Sequence, residues 1–353
     1  MGPHDPMEAP AAPRVLVVDD SPLIRRVLTH LLTTAGLEVV GTAADPYEAR
    51  DQVRSLNPDV ITLDIEMPKM DGITFLKNLM RARPIPVVMI STLTERGADA
   101  TIAALEAGAV DFFTKPRLDQ AGGLEAQRDV LAGKVRAAAR ANVRFHGSLL
   151  APHPAALQRR ANATPAQRLI AIGSSTGGTE AVAQVLHELH GTSAGVVITQ
   201  HIPEMFSARW AERLDKVGPL RVTEAVDGAP ILEGHGYVAH GGRHLRVERG
   251  GGGFVCRVGD DAPVNGHRPS VEALFDSVLS AAGKAACAAI LTGMGDDGAA
   301  AMLRLRKAGL FTVAQDEASS VVWGMPGQAV RLGAALEVLP LSAIGARLSA
   351  ASR

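Results

Sequence analysis

Short apolar runs alternate with helical patterns along the chain, and this alternation constrains the fold more than any other feature. The first series of runs is Arg14–Val18, Glu38–Gly41, Val60–Leu63, Val87–Ile90 and Asp111–Phe113. Helical patterns fall between and after them at Pro22–Ala35, Pro46–Leu56, Ile73–Ala82, Ala98–Ala107 and about Leu124–Ala141. A strand that is apolar on both faces cannot border water, so these runs predict a parallel sheet covered by helices on both sides. Ser21 before Pro22 predicts a capped start for the first helix.

The pattern dissolves from Asn142 to Gln167, where Pro152, Pro154 and Pro165 interrupt it and arginines are scattered. It resumes with strands predicted at Leu169–Ile172, Gly195–Thr199, Leu220–Thr223, Tyr237–Ala239, Ala288–Leu291 and Phe311–Ala314. Helices are predicted at Thr179–Leu189, Glu204–Val217, Val271–Ala282 and Ala299–Ala308. The glycine-rich stretch Asp227–Val264 reads as a hairpin-like insertion. The expected organisation is therefore an N-terminal extension over 1–13, a first α/β domain over 14–133, a linker over 134–167 and a second α/β domain over 168–353. A chain of 353 residues has room for two such cores.

Composition narrows the function. A net charge of −1 gives no general pull towards nucleic acid or anionic membranes, and 3% aromatics leave few platforms for stacking bases. Two cysteines suit a reducing compartment rather than a disulfide framework. Residues 1–13 lack a basic start followed by an apolar run, so no signal peptide is expected, and no apolar run is long enough to span a membrane. The expectation is a cytoplasmic, monomeric protein without nucleic-acid partners or membrane insertion.

In open α/β sheets ligands bind at the carboxyl ends of strands, which directs attention to the loops there. In the first domain those loops hold Asp19 and Asp20, Asp64, Ser91 and Lys115. Taken singly, Asp19 and Asp20 serve equally well as helix caps and Asp64 as the start of a turn. Together, three carboxylates at neighbouring strand ends call for a hard cation such as Mg²⁺, with Lys115 and Ser91 available to an incoming phosphoryl group. Pro116 offers a site for a cis bond that would aim Lys115 inward.

The motifs Val17-Val18-Asp19-Asp20-Ser21, Asp64-Ile65-Glu66-Met67-Pro68, Met70-Asp71-Gly72, Ile90-Ser91-Thr92 and Phe113-Thr114-Lys115-Pro116 resemble the response-regulator receiver family. The resemblance implies phosphorylation of Asp64 by a histidine kinase. It also implies Mg²⁺ held by Asp20, Asp64 and the backbone of Glu66, with Asp19 in support. Ser91 and Phe112 then fall at the switch hydroxyl and switch aromatic, beside Lys115.

The second domain opens with Ile172-Gly173-Ser174-Ser175-Thr176-Gly177-Gly178 between a predicted strand and helix. A serine on such a turn is exposed beside the free N–H groups of a helix start, where an oxyanion can be stabilised. The same turn serves equally to bind a phosphate, and Ser174 is not distinguished from Ser175. Of 11 histidines, His201 follows the neighbouring strand. Asp296 and Asp297 follow the strand Ala288–Leu291, where either acid also suits a helix cap. A Ser, His, Asp constellation is thus available at one end of one sheet. A dinucleotide site would need a Gly-x-Gly-x-x-Gly frame, and a DNA-binding output a basic recognition helix. The Gly173–Gly178 turn lacks the first, and 168–353 shows no basic recognition helix.

Ile170 through Glu180, Ile198-Thr199-Gln200-His201, Val264 through Val271, Leu291 through Gly298 and Gln315 through Pro326 resemble the catalytic domain of the chemotaxis protein-glutamate methylesterase/protein-glutamine glutaminase family. That resemblance implies Ser175, His201 and Asp297 as the triad, with Thr176 and Met294 lending backbone N–H groups. It implies a flavodoxin-like receiver followed by a Rossmann-like domain with a β-hairpin insertion. The implied reaction is hydrolysis of glutamyl γ-methyl esters on chemoreceptor helices, with no metal in the hydrolysis itself. It also implies that the unphosphorylated receiver covers the active site.

Overall fold

A computed structural model describes residues 12–92, 94–116, 123–141, 164–190 and 192–353. Residues 1–11 of the expected extension and 142–163 of the expected linker lie outside the described residues.

Five βα units form the first sheet: β1 Arg14–Val18, α1 Pro22–Thr34, β2 Glu38–Ala43, α2 Pro46–Leu56, β3 Val60–Asp64, α3 Gly72–Ala82, β4 Val87–Ser91, α4 Glu95–Glu106, β5 Asp111–Thr114 and α5 Gly123–Ala139. The order is β2-β1-β3-β4-β5, with every pairing parallel. Strands β3 and β4 are buried at every position, as their unbroken apolar runs require. Short polar side chains start the helices by taking up free N–H groups. Ser21 caps α1, Asp45 caps α2 and Asp71 caps α3. Helix α5 runs across the boundary expected at residues 133 and 134.

The second domain contains β6 Leu169–Ser174, α6 Gly178–His187, β7 Gly195–Gln200, α7 Glu204–Val217, β8 Arg221–Glu224, β9 Pro230–Ile231, β10 His235–Val238, β11 His244–Gly250 and β12 Gly253–Gly259. It continues with α8 Val271–Ala282, β13 Ala286–Ile290, α9 Ala299–Lys307, β14 Phe311–Gln315, α10 Met325–Arg331, β15 Glu337–Leu339 and α11 Leu341–Ala351. Seven parallel strands run in the order β15-β14-β13-β6-β7-β10-β8. The glycine-rich stretch is not insertion throughout. Strands β11 and β12 form an antiparallel hairpin that β9 joins, whereas β10 lies in the main sheet between β7 and β8.

The chain winds from β6 outwards through β7 and then crosses back to β13 on the other side of β6. That reversal opens a crevice at the carboxyl ends of β6, β7 and β13, where an open α/β sheet binds its ligands. Glycines let the segments there close in. A Cβ on Gly293 would stand 2.8 Å from the Ser175 Cβ, and one on Gly173 would stand 2.2 Å from a Val271 methyl.

The two domains share an apolar core, in which Ala98, Ile102, Leu105 and Phe112 of the first join Phe206 and Trp210 of the second. The Phe112 and Phe206 rings lie 4.5 Å apart. Arg213 is nearly buried between Glu106 of the first domain, at 2.5 Å, and Glu180 of the second, at 2.6 Å.

Cys256 and Cys287 are free and buried, and burial pushes both thiols up to about 12. A thiol held in its protonated form is a poor nucleophile. Neither cysteine should therefore react with a maleimide at neutral pH in the folded protein, and both should react in denaturant. Mass spectrometry of the labelled chain reads the outcome, and labelling of the native fold would contradict the burial.

Candidate active site and acidic cluster

Ser175 follows β6 and hydrogen-bonds through its backbone N–H to Thr292 O at 3.0 Å. Strand alternation separates it from its neighbour. Ser174, the last residue of β6, turns into the core and donates to Gln200 Oε1 at 2.6 Å. The Ser175 hydroxyl instead meets His201 Nδ1 at 3.1 Å. On the other side of the ring, His201 Nε2 lies 2.9 Å from Asp297 Oδ2. Gly177, with φ of 76°, precedes helix α6 and offers no side-chain cap, and the Gly178 N–H donates back to Ser175 O at 2.7 Å. Met294, on the loop after β13, is half-exposed.

Asp297 is 1% exposed and is held from several directions. Its Oδ1 accepts from Ser270 Oγ at 2.8 Å and Asn265 Nδ2 at 3.0 Å, and its Oδ2 accepts from Val271 N at 2.6 Å. Val271 opens α8, so the carboxylate also meets the positive end of that helix. Burial pulls its pKa up, but the His201 bond and charge, the Val271 N–H and the Ser270 hydroxyl outweigh it and hold the group at about 2. Asp296 makes none of these side-chain contacts.

In the first domain Asp19, Asp20 and Asp64 offer carboxylate oxygens that all lie within 4.8 Å of one another. Lys115 Nζ lies 2.8 Å from Asp64 Oδ2 and 3.0 Å from Asp19 Oδ2. Burial pushes Asp64 up to about 6, the Lys115 hydrogen bond opposes this, and the charge of Asp19 adds to it. A divalent cation relieves such crowding, so the donor set fits Mg²⁺. Glu66 is exposed and its N–H donates to Asp64 Oδ1 at 3.4 Å. The buried Ser91 hydroxyl is engaged elsewhere, accepting from Thr101 Oγ1 at 2.8 Å. The cis peptide among the described residues is Arg268–Pro269, so Lys115–Pro116 is trans.

Four contacts were not foreseen from the sequence. The Thr176 hydroxyl donates across the domain boundary to Asp111 Oδ2 at 2.6 Å, and Lys134 Nζ meets the other oxygen, Oδ1, at 2.6 Å. Asn265 reaches Asp297, and the ring of His267 lies on that of His201. For the last two, the Asn265-Gly266 dipeptide is a turn signal that marks the segment.

An acidic cluster in the first domain thus stands ahead of an α/β domain with a hydrogen-bonded Ser, His and Asp. Residues 15–122 match the family model for the response regulator receiver domain, and residues 170–348 match that for CheB methylesterase. A protein-glutamate methylesterase/protein-glutamine glutaminase 1 of Hahella chejuensis is 54% identical, covering 94% of this chain and 94% of its own. A protein-glutamate methylesterase/protein-glutamine glutaminase of Salmonella choleraesuis is 48% identical, covering 96% of each chain. The crystal structure of the Thermotoga maritima CheB methylesterase catalytic domain superposes with a TM-score of 0.51 at 33% identity, covering 52% of this chain and 97% of that one. The chain belongs to the CheB methylesterase family of response regulators, and it is an enzyme of the methylesterase and glutaminase class. No helix among the described residues is long and apolar enough to cross a membrane.

Because the folded pKa of Asp297 lies below its ordinary 3.8, the stabilisation it gives is present above that pH and is lost as pH falls through about 2. Asp297→Ala leaves Ser270, the Val271 N–H and His201 without their buried acceptor. It should lower unfolding free energy at pH 7 by about 3 kcal/mol in urea melts. An unchanged midpoint would contradict this role.

Proposed function

We propose that Ser175, His201 and Asp297 form the catalytic triad that hydrolyses γ-methyl esters of glutamate, and deamidates glutamine, on the cytoplasmic helices of chemoreceptors. The observation that carries this reading is the continuous chain from the Ser175 hydroxyl through both His201 nitrogens to the Asp297 carboxylate. His201 keeps a proton on Nε2 towards Asp297, leaving the Nδ1 lone pair for Ser175. Ser175 Oγ attacks the ester carbonyl carbon while Nδ1 takes its proton, and that proton passes to the departing methoxide to release methanol. A water then attacks the acyl-enzyme with His201 again as base, regenerating the serine and freeing the glutamate carboxylate. The backbone N–H groups of Thr176 and Met294 receive the developing oxyanion. Asp297, held at about 2, stays ionised throughout and stabilises the charged imidazole.

Control comes from the receiver over 14–133, joined by the 134–167 linker to the catalytic domain over 168–353. Asp64 accepts a phosphoryl group from a chemotaxis histidine kinase, at a site where Asp19, Asp20, Asp64 and the Glu66 backbone would hold Mg²⁺. The ion, when bound, neutralises the oxygens of the transferring group. Lys115 pairs with the product, and Ser91 and Phe112 read it as the switch pair. In the unphosphorylated form the receiver covers the site: Asp111 holds Thr176, and Met294 lies against α5 at Gly133. Phosphorylation shifts the population to an open arrangement, giving sensory adaptation by a monomeric cytoplasmic enzyme.

Ser175→Ala should fold normally and lose methanol release by on the order of 10⁴- to 10⁶-fold. Near-normal turnover would remove the triad reading. Asp64→Asn should retain basal turnover but show no rise with a small-molecule phosphodonor, and an activated variant would move control away from Asp64.

A further inference from the structure

A second imidazole lies on the candidate base. The rings of His267 and His201 stack with centroids 3.8 Å apart and planes 9° from parallel. His267 ends the turn Val264–His267, which is closed by backbone hydrogen bonds from Val264 N to His267 O at 3.1 Å and from His267 N to Val264 O at 2.9 Å. Its central residues, Asn265 and Gly266, have φ of 53° and 76°. Asn-Gly takes up this conformation with little strain. From the same turn Asn265 donates to Asp297 Oδ1 at 3.0 Å. One short loop therefore touches the imidazole through one side chain and its orienting acid through another.

Burial pushes His267 down to about 4, and a positive charge on His201 pushes the same way, while Asp297 and Asp296 pull against them. Near neutral pH the stacked face is therefore an uncharged ring. Bonds to Ser175 and Asp297 restrain His201 within its own plane. Both bonds give way gradually as the ring tilts out of that plane, so alone they hold the line from Nδ1 to the serine oxygen only softly. A flat partner at van der Waals distance opposes that tilt. The π-face of such a partner also attracts the cation that His201 becomes once it holds the serine proton.

We propose that His267 is a positioning residue for the hydrolysis, its ring face fixing the plane of His201 and stabilising the imidazolium. The inference rests on the reading of Ser175 as nucleophile and His201 as base.

The test uses the full chain with Mg²⁺ and a small-molecule phosphodonor, measuring methanol release from methylated receptor fragments over a substrate range. Wild type is compared with His267→Ala, His267→Phe, His267→Leu and Ser175→Ala, each checked for folding by circular dichroism and urea midpoint. His267→Ala should lose kcat by roughly 5- to 30-fold with KM within about twofold. His267→Phe, which keeps a flat π-face, should recover to within about threefold of wild type. His267→Leu, apolar but without that face, should stay near the alanine level. Wild-type kcat in His267→Ala would overturn the proposal. So would a leucine variant as active as phenylalanine, which would reduce the role to bulk. A phenylalanine variant no better than alanine would do the same, because a ring nitrogen would then be required. Should the alanine variant fail to fold, the phenylalanine and leucine pair decides alone. A wild type lacking Ser175-dependent turnover would instead remove the underlying reading and leave the stack without a reaction to serve.

Discussion

The buried carboxylate of Asp297 is the constraint on which the catalytic crevice depends. An ionised group that is 1% exposed survives only with dense hydrogen bonding, and here that bonding comes from three separate segments. The start of α8 supplies a backbone N–H and the Ser270 hydroxyl, the Val264–His267 turn supplies Asn265, and the loop after β7 supplies His201. Satisfying the charge therefore ties these segments to β13. The ring orientation of His201 follows from where the acid sits, and the line to Ser175 follows from the ring. The site is built outwards from its most costly group.

The junction between the domains is apolar at its centre and ionic towards its rim. Phe112 meets Phe206 inside the shared core, while Arg213 stands between one carboxylate from each domain. Separating the domains would expose apolar surface and leave Glu106 without its Arg213 partner, and both costs oppose separation. The receiver also touches the second domain directly through Asp111 on Thr176, the residue after Ser175.

The fold was readable in proportion to how apolar its strands are. Strands such as β3 and β6 are buried at every position and stand out as unbroken runs. Strand β10 was foreseen only as Tyr237–Ala239 within a glycine-rich stretch, because glycines around it mimic hairpin turns. Strand β15 was missed: it is a three-residue edge strand with a half-exposed face, so no burial pattern marks it. Among site residues, the rule of strand carboxyl ends led to Ser175, His201 and Asp297. Choosing between Ser174 and Ser175, or Asp296 and Asp297, needs the side-chain direction at the end of a strand, which adjacent like residues do not reveal. The Asn265-Gly266 turn is marked in the sequence, but where Asn265 and His267 reach, and the Asp111–Thr176 bond, are not, because loops and a second domain bring these groups in from far along the chain.

Strand β5 begins with Asp111 and is followed directly by Lys115. The first residue grips Thr176 in the catalytic domain, and the second pairs with Asp64. Four steps of extended chain separate them, about 13 Å. Hydrogen bonding to β4 keeps the strand in register along this length, so it behaves as a strut rather than a string. The acidic cluster and the Ser175 turn are thus mechanically in series, with a single stiff segment between the Lys115–Asp64 pair at one end and Thr176 at the other.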